Sequence, residues 1–395
     1  MLAYSFAPSG STNHSRLTSI TYPNGRVVTY NYATGLADAI SRLSSITDGA
    51  TTLEGYSYLG LGTVVARTHP QTGVDLTYVK LSGEADGAAG DKYTGLDAFG
   101  RVVDQRWTTS GGTAADRRQY GYDRDSNRLY AYNAVNTAAS ELYAYDGLNQ
   151  LTSFQRGTLN GTKDGLTGSA SRSQSWTTDA VGNFATQVTD GTTQTRSANK
   201  QNEISSISGA TTPTYDAAGD MTGDEAGKQD VYDGWGRLVV VKTSGGTTLA
   251  TYRYDGLNRR VRDVEAATTD LYYSAQWQVL EEDVSGSAVN SYAWSPVYVD
   301  ALIARDAGGT RLYAAQDANW NVVAVVTTAG AVAERYAYDS YGTQTVTDGA
   351  WNTRSGSSYN WTYGFQGRAS DAAAGGYNFR NREEDPILGR WDEWH

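Results

Sequence analysis

Cysteine is absent from this 395-residue chain, so no disulfide can staple the fold and no thiol can serve as nucleophile or metal ligand. Histidine occurs only at His14, His69 and His395, without ligand spacing, which supports neither a zinc site nor a Ser/His/Asp triad. Proline is scarce at 6 residues while glycine reaches 44, a balance that favours many tight turns over proline-rich disorder. No run of eighteen apolar residues occurs, so nothing reads as a membrane-spanning helix. Met1-Leu-Ala-Tyr-Ser-Phe-Ala-Pro8 lacks the charged and apolar regions of a signal peptide. Basic residues number 32 against 43 acidic ones, a formal net charge of -11 with no Lys/Arg run, which argues against a nucleic-acid surface. Gly60-Leu-Gly62 lacks the third glycine and following helix of a dinucleotide loop, and no phosphate-binding loop is present. No cofactor, metal ligand set or catalytic residue is assigned.

Aromatic residues are present in quantity, but of an unusual kind. Tyr (29) and Trp (10) far outnumber Phe (6), so the buried faces are built from rings that each need a partner for a polar tip. Many of the tyrosines sit in one repeated phrase. Tyr143-Ala-Tyr-Asp-Gly-Leu-Asn-Gln-Leu151 returns as Tyr120-Gly-Tyr-Asp123, Tyr252-Arg-Tyr-Asp255 and Tyr336-Ala-Tyr-Asp339. A chain that repeats itself is read as an array before anything else.

The unit has an internal logic. An aspartate is followed three residues later by Gly or Asn at Asp97/Gly100, Asp146/Asn149, Asp179/Gly182, Asp216/Gly219, Asp233/Gly236, Asp255/Asn258 and Asp339/Gly342; Asp123 reaches Asn127, one residue late. Asp opens a type I turn by bonding its own backbone, and Gly or Asn tolerates the positive φ of the bulge that closes it. Each copy therefore predicts a β-hairpin tip. Tyr at two alternate positions before the Asp places both rings on one strand face. An apolar residue two past the Gly or Asn (Val102, Leu129, Leu151, Phe184, Met221, Leu238) is expected to face them from the outgoing strand. Successive copies such as Tyr122 and Tyr145, or Tyr232 and Tyr254, are about the length of one up-and-down strand pair apart.

Read in order, residues 1–70 hold the least regular copies, including a clear hairpin at Leu17-Thr-Ser-Ile-Thr-Tyr22-Pro-Asn-Gly25-Arg-Val-Val-Thr-Tyr30. Residues 71–265 are the most regular, with Gly/Ser/Thr-rich interruptions near 157–175 and 185–215 that predict polar strands and longer turns. From Leu271 the pattern changes while strands persist. The expected organisation is a repeat array over 1–310 and a C-terminal segment over 311–395, with no linker between them. The abrupt start and the end four residues past Trp391 read as a segment of a longer parent chain.

Tyr232-Asp-Gly-Trp-Gly-Arg-Leu238 resembles the YD repeat of bacterial Rhs proteins, the B and C components of Tc toxins, and animal teneurins. Tyr363-Gly-Phe-Gln-Gly-Arg368, followed by Tyr377-Asn-Phe-Arg-Asn-Arg-Glu-Glu-Asp-Pro-Ile-Leu-Gly-Arg-Trp391, is similar to the end of the Rhs-associated core. The residues that carry this second match are Gly367, Arg368, Tyr377, Arg380, Arg382, Asp385, Pro386, Gly389, Arg390 and Trp391. The resemblance implies an all-β strip of hairpins coiling into a spiral or partial hollow shell around a polypeptide cargo. It also implies a secreted or cell-surface location. Self-association through open sheet edges is a further expectation. In the family an Asp-Pro aspartate beyond this motif belongs to an aspartyl autoprotease, but here His395 occupies that position, so self-cleavage is not expected. A carbohydrate-binding or adhesive Tyr/Trp surface is the alternative from another functional class.

Three further patterns have ordinary readings. Asp123-Arg-Asp125-Ser-Asn127 opens like a calcium loop, yet Arg128 and Ala134 stand where Gly and Glu are needed, so a turn is expected. Asp385-Pro386 reads as a turn before the last strand. Arg368, Arg380, Arg382 and Arg390 among Glu383, Glu384 and Asp385 form either a charged plug or a solvated ion-pair surface.

Overall fold

The computed structural model describes residues 2–7 and 15–393; His14 and His395, and the autoprotease position read at His395, lie outside the described residues. The chain is all-β, in open antiparallel sheets. Sixteen strands, from Ala3–Phe6 to Ile204–Ile207, follow one another in strict sequence order, and fifteen more do the same from Thr214–Tyr215 to Thr353–Arg354. A four-stranded sheet of Ala369–Asp371, Gly376–Asn378, Glu383–Asp385 and Arg390–Trp391 ends the described chain. The helix Leu36–Ala39 is a single turn. Leu302–Ala307 pairs with Thr310–Gln316, so the expected change of repeat type near residue 310 falls inside a continuous ladder.

The hairpin corners follow one design. In the unit around Asp233, the N–H of Gly236 donates to the Asp233 carbonyl at 3.0 Å, and the N–H of Asp233 donates to Arg237 O at 3.0 Å. Gly236 carries φ 69°, and the register slips by one residue beside Tyr232, so that Tyr232 faces Leu238 across the hairpin. Tyr145 with Leu151 and Tyr215 with Met221 repeat this closing pair. One fewer residue on the incoming strand than on the outgoing one bends the pair and adds twist.

Two sequence expectations need correction. At Asp123 the left-handed residue is Ser126 (φ 70°), three residues on as elsewhere, and not Asn127. The inward position is then Arg128, and Leu129, expected to face the tyrosines, is exposed. The interruption expected to hold polar strands and longer turns is a turn-rich excursion over 157–171 with a Leu159 to Leu166 bridge, followed by the strand Arg172–Thr178. Gly157 and Leu166 pack against each other at its base, which ties the loop down without a ladder.

The chain divides into two compact units. Met1–Arg118, Thr269–Tyr336 and Thr345–Gly367 make one; Gln119–Thr268, Ala337–Gln344 and Arg368–His395 make the other. In the first, two sets of strands face each other over a core containing Ile46, Leu53, Trp107, Tyr292, Ile303 and Val322 to Val326. Polar pins cross that core. Tyr22 donates its hydroxyl to Tyr292 O at 2.6 Å, and Gln105 and Trp107 both donate to Gln316 O at 2.6 and 2.9 Å. In the second, Ile204, Ile207 and Met221 close on Leu388, while Ala373 and Ala374 pack on Leu238, Val241, Ala250 and Tyr252. The C-terminal sheet is thus part of the second unit's core.

Candidate functional site

Two constellations stand out: the corner that recurs along the array, and the seat of the C-terminal sheet in the second unit.

Asp233 Oδ1 accepts the N–H groups of Trp235 and Arg237 at 2.9 and 3.2 Å, and its Oδ2 accepts Arg237 Nε at 2.8 Å. The same bonds recur at Asp97 with Arg101 and at Asp255 with Arg259. Burial pushes the Asp233 and Asp255 carboxyls up, but these hydrogen bonds and the neighbouring guanidinium hold both below the ordinary carboxylate range. The guanidinium of Arg237 also lies 4.9 Å from the centroid of Tyr254, on the next hairpin, whose hydroxyl donates to Leu238 O at 2.7 Å. This explains the spelling Tyr-Asp-x-x-Gly-Arg-Leu. Asp shapes the corner, Gly closes it, Arg braces the Asp and cradles the next tyrosine, and Leu offers that tyrosine a carbonyl. Tyr32 with Arg16 and Leu17, and Tyr58 with Arg42 and Leu43, repeat the clasp in the first unit. Tyr145 bonds Arg128 O in the second.

The positive-φ residues of the other aspartate corners are Gly100, Asn149, Gly182, Gly219, Asn258 and Gly342. Asp146, Asp179 and Asp216 accept main-chain N–H groups as Asp233 does. Asp339 differs. Its buried carboxylate takes Arg172 Nε at 2.8 Å, with Arg156 Nη1 at 3.7 Å, tying a repeat corner to two strands of the second unit. Sequence reasoning missed several corners: Ser274/Trp277, Asp317/Trp320 and Asp348/Trp351 use tryptophan in the left-handed position, and Asn199/Asn202 opens on Asn. A bonding Ser, Asp or Asn three residues before any residue, followed by an alternating strand, was the available signal.

The C-terminal motif residues occupy defined places. Gly367 (φ 69°) belongs to the first unit, where its Cα packs against Asp300. Tyr377 donates to Gly342 O at 2.9 Å. Asp385 Oδ1 accepts the N–H groups of Ile387 and Leu388 at 2.7 and 2.9 Å, shaping the turn through Pro386 to Gly389. Gly389 (φ 66°) sits against Tyr341 and Phe184 so closely that a Cβ would meet both rings at 3.1 to 3.2 Å. Arg390 reaches Asn202 O, and Arg368 and Arg382 lie over Phe379 and Trp391. Arg380 and Arg382 line one pocket with Glu383 and Glu393. Buried Glu383 is also paired with Arg260, at 3.5 Å, beside Asp371, which Arg260 contacts at 2.6 Å. Arg260 comes from a repeat strand more than a hundred residues earlier, a pairing that local spacing could not reveal.

Carboxyl groups crowd this seat. Asp224, Asp230, Asp371, Glu383, Glu384, Asp385 and Glu393 are all buried. Burial first, and neighbouring carboxylates second, push Asp230 and Glu384 up to about 7. Burial and Asp385 raise Glu225 to about 8; burial also brings Glu393 to about 8 despite the Glu383 N–H it accepts. Among the described residues no group of His, Asp or Glu has the arrangement to hold a metal ion. His69 is buried between Trp107 and Tyr313, with Nε2 3.2 Å from Glu54, and serves the first unit's core.

A family model for the teneurin YD-shell matches residues 156–393, which contain both the repeated corner and the C-terminal seat. The chain belongs to the teneurin YD-shell family. The YD-shell fold also extends over the part that this model leaves out. The Photorhabdus luminescens Tc holotoxin pore superposes on 97% of this chain with a TM-score of 0.71 at 16% identity, and the TcdB2-TccC3 complex on 96% with the same score and identity. Among curated proteins, the tRNA3(Ser)-specific nuclease WapA of Bacillus spizizenii is 26% identical over 223 residues, 54% of this chain. The chain spans 9% of WapA and 20% of each of those two toxin chains.

Proposed function

We propose that this chain is a stretch of wall in a YD-repeat shell and that the shell encloses or presents a polypeptide. The observation that carries the reading is the corner clasp: the hydroxyls of Tyr32, Tyr58, Tyr145 and Tyr254 are each bonded to the hairpin before, which supports a continuous wall built in sequence order. Such a wall gains stability from neighbour to neighbour and needs no reacting group. The acids of the corners are spent on main-chain N–H groups, which suits a structural role. The nuclease named in the WapA relative belongs to a protein in which the matching stretch is a small part, so nuclease action is not carried over.

The proposed cargo is polypeptide, either the remainder of a parent chain or a separate one, and the proposed setting is secreted or cell-surface. Protease protection tests the reading. A flexible reporter polypeptide is fused after His395 and digested alongside the free reporter. A fused reporter that survives at least tenfold longer supports enclosure, and equal rates overturn it.

An adhesive, sugar-binding surface is supported by one feature. Tyr298, partly exposed, stacks on Trp320 at 4.8 Å and 15°, a flat aromatic platform in the first unit. Glycan-array binding that vanishes in Tyr298→Ala would favour that reading.

A further inference from the structure

We propose that the C-terminal segment 368–393 is a proton-dependent clasp, seated on the second unit's hairpins while its buried carboxyls are neutral and loosened when they ionise. The inference is independent of what, if anything, the shell encloses.

The geometry carries it. The segment is held by main-chain and side-chain bonds to the repeat strands: Met221 N–H donates to Asp392 O at 2.8 Å, Lys228 Nζ to Ala374 O at 2.7 Å, and Arg196 Nη1 to Leu388 O at 2.7 Å. Leu388 is fully buried by this seating. Yet four carboxyl oxygens in the same interface, Asp230 Oδ1, Glu383 Oε2, Glu384 Oε2 and Asp392 Oδ1, are buried without a hydrogen-bond partner, and Glu225 has the carboxyl of Asp385 as its side-chain partner, which it can bond only through a shared proton. A buried carboxylate oxygen with no donor is expensive, while a neutral carboxyl is far less so.

The charged surroundings do not supply the missing compensation. From the turn 224–228 come Asp224, Glu225 and Lys228; Lys228 is already committed to the carbonyls of Ala373 and Ala374. The strand Gln229–Tyr232 brings Asp230 and the Tyr232 hydroxyl, and Thr248–Tyr254 brings Tyr252 and Tyr254. From Arg260–Val264 come Arg260 and Asp263, with Glu265 just beyond, and Arg260 is shared among Asp263, Asp371 and Glu383. Arg196, Arg390 and Tyr215 face Asp385 or Asp392, Tyr341 faces Glu384, and Asp220 and Arg382 face Glu393. Acids outnumber cations in this interface, and Glu225 stands directly opposite Asp385.

The sign follows from linkage. Acids raised in the seated state hold more protons there than in the loosened state, where they return to the ordinary carboxyl range near 4. The seating is therefore complete at low pH and lost as pH rises, through about 7 for Asp230 and Glu384 and about 8 for Glu225 and Glu393.

Hydrogen exchange on the full chain between pH 5 and 9, corrected for intrinsic exchange, tests this. Protection of amides in 368–393 should fall by about tenfold per pH unit for each proton released, while amides of the strand Leu151–Arg156 keep theirs. The double variant Glu225→Gln/Glu393→Gln, which mimics the neutral forms, should flatten that dependence, and Glu384→Gln alone should flatten it in part. Protection that does not change with pH, a loss shared equally by Leu151–Arg156, or an unaltered slope in both variants would overturn the proposal.

Discussion

The hydroxyl of Tyr254 donates to the main-chain carbonyl of Leu238, sixteen residues earlier, across the boundary between one hairpin and the next. The same ring carries the Arg237 guanidinium on its face. One side chain thus joins two repeats through a hydrogen bond and a cation–π contact, and the two contributions separate by substitution. Tyr254→Phe removes only the bond and should cost about 0.5–1.5 kcal/mol. Tyr254→Ala removes the ring as well and should cost about 3 kcal/mol or more. Urea unfolding midpoints of the two variants check this; equal losses would place the whole effect in the hydroxyl.

The corners make a backbone prediction. Gly100 has φ 78°, and a Cβ there would meet nothing within 4 Å, so Gly100→Ala should cost about 1–2 kcal/mol through left-handed strain alone. Ser126→Gly, at φ 70°, should have the opposite sign and gain up to about 1 kcal/mol, since the strain it relieves exceeds the added chain freedom. Thermal unfolding of both variants gives the comparison.

Removing Arg260 should strand its partners. It is the cation shared by Asp371 and Glu383, both buried, so Arg260→Met is expected to destabilise the second unit by about 3–5 kcal/mol at neutral pH. The loss should shrink toward pH 5, because carboxyls left buried without their cation take up protons and shed the uncompensated charge. Denaturant unfolding at the two pH values measures it, and a deficit independent of pH would contradict the assignment.

The corner aspartates set the acid limit. Asp233, Asp255 and Asp97 are held below the ordinary carboxylate range, so their contribution is complete above about pH 4 and lost as pH falls through their folded values. The chain should therefore lose strand signal in circular dichroism below pH 4, and Asp233→Asn should make that acid transition less steep. An unchanged transition would show that the acid limit lies elsewhere.

Much of this architecture was legible because its rules are local. Asp233 to Leu238 spells a corner in seven letters with Tyr232, and the period-two tyrosines state which face is shared. Trp277, Trp320 and Trp351 escaped because the reading required Gly or Asn where φ is positive. Packing supplies what the backbone preference withholds: Arg335 lies 4.7 Å over the Trp351 ring, and Trp320 is stacked on Tyr298. At Asp123 the letter Asn127 drew attention one place too far, past the residue that bends. The carboxyl seat was illegible for a different reason. Glu393 is distant in sequence from Glu225 and Asp230, and all three look like solvent-facing charge; only the docking of the last sheet gathers them in one buried seat.

Because the clasps of Tyr32, Tyr58, Tyr145 and Tyr254 all point backward along the chain, each of their hairpins finds its partner already made. Each such corner can dock on the last as it leaves the ribosome, while the core around Tyr22 and Trp107 closes only when the strands carrying Tyr292 and Gln316 arrive. Tandem duplication of about twenty codons would lengthen such a product without asking the older parts to rearrange.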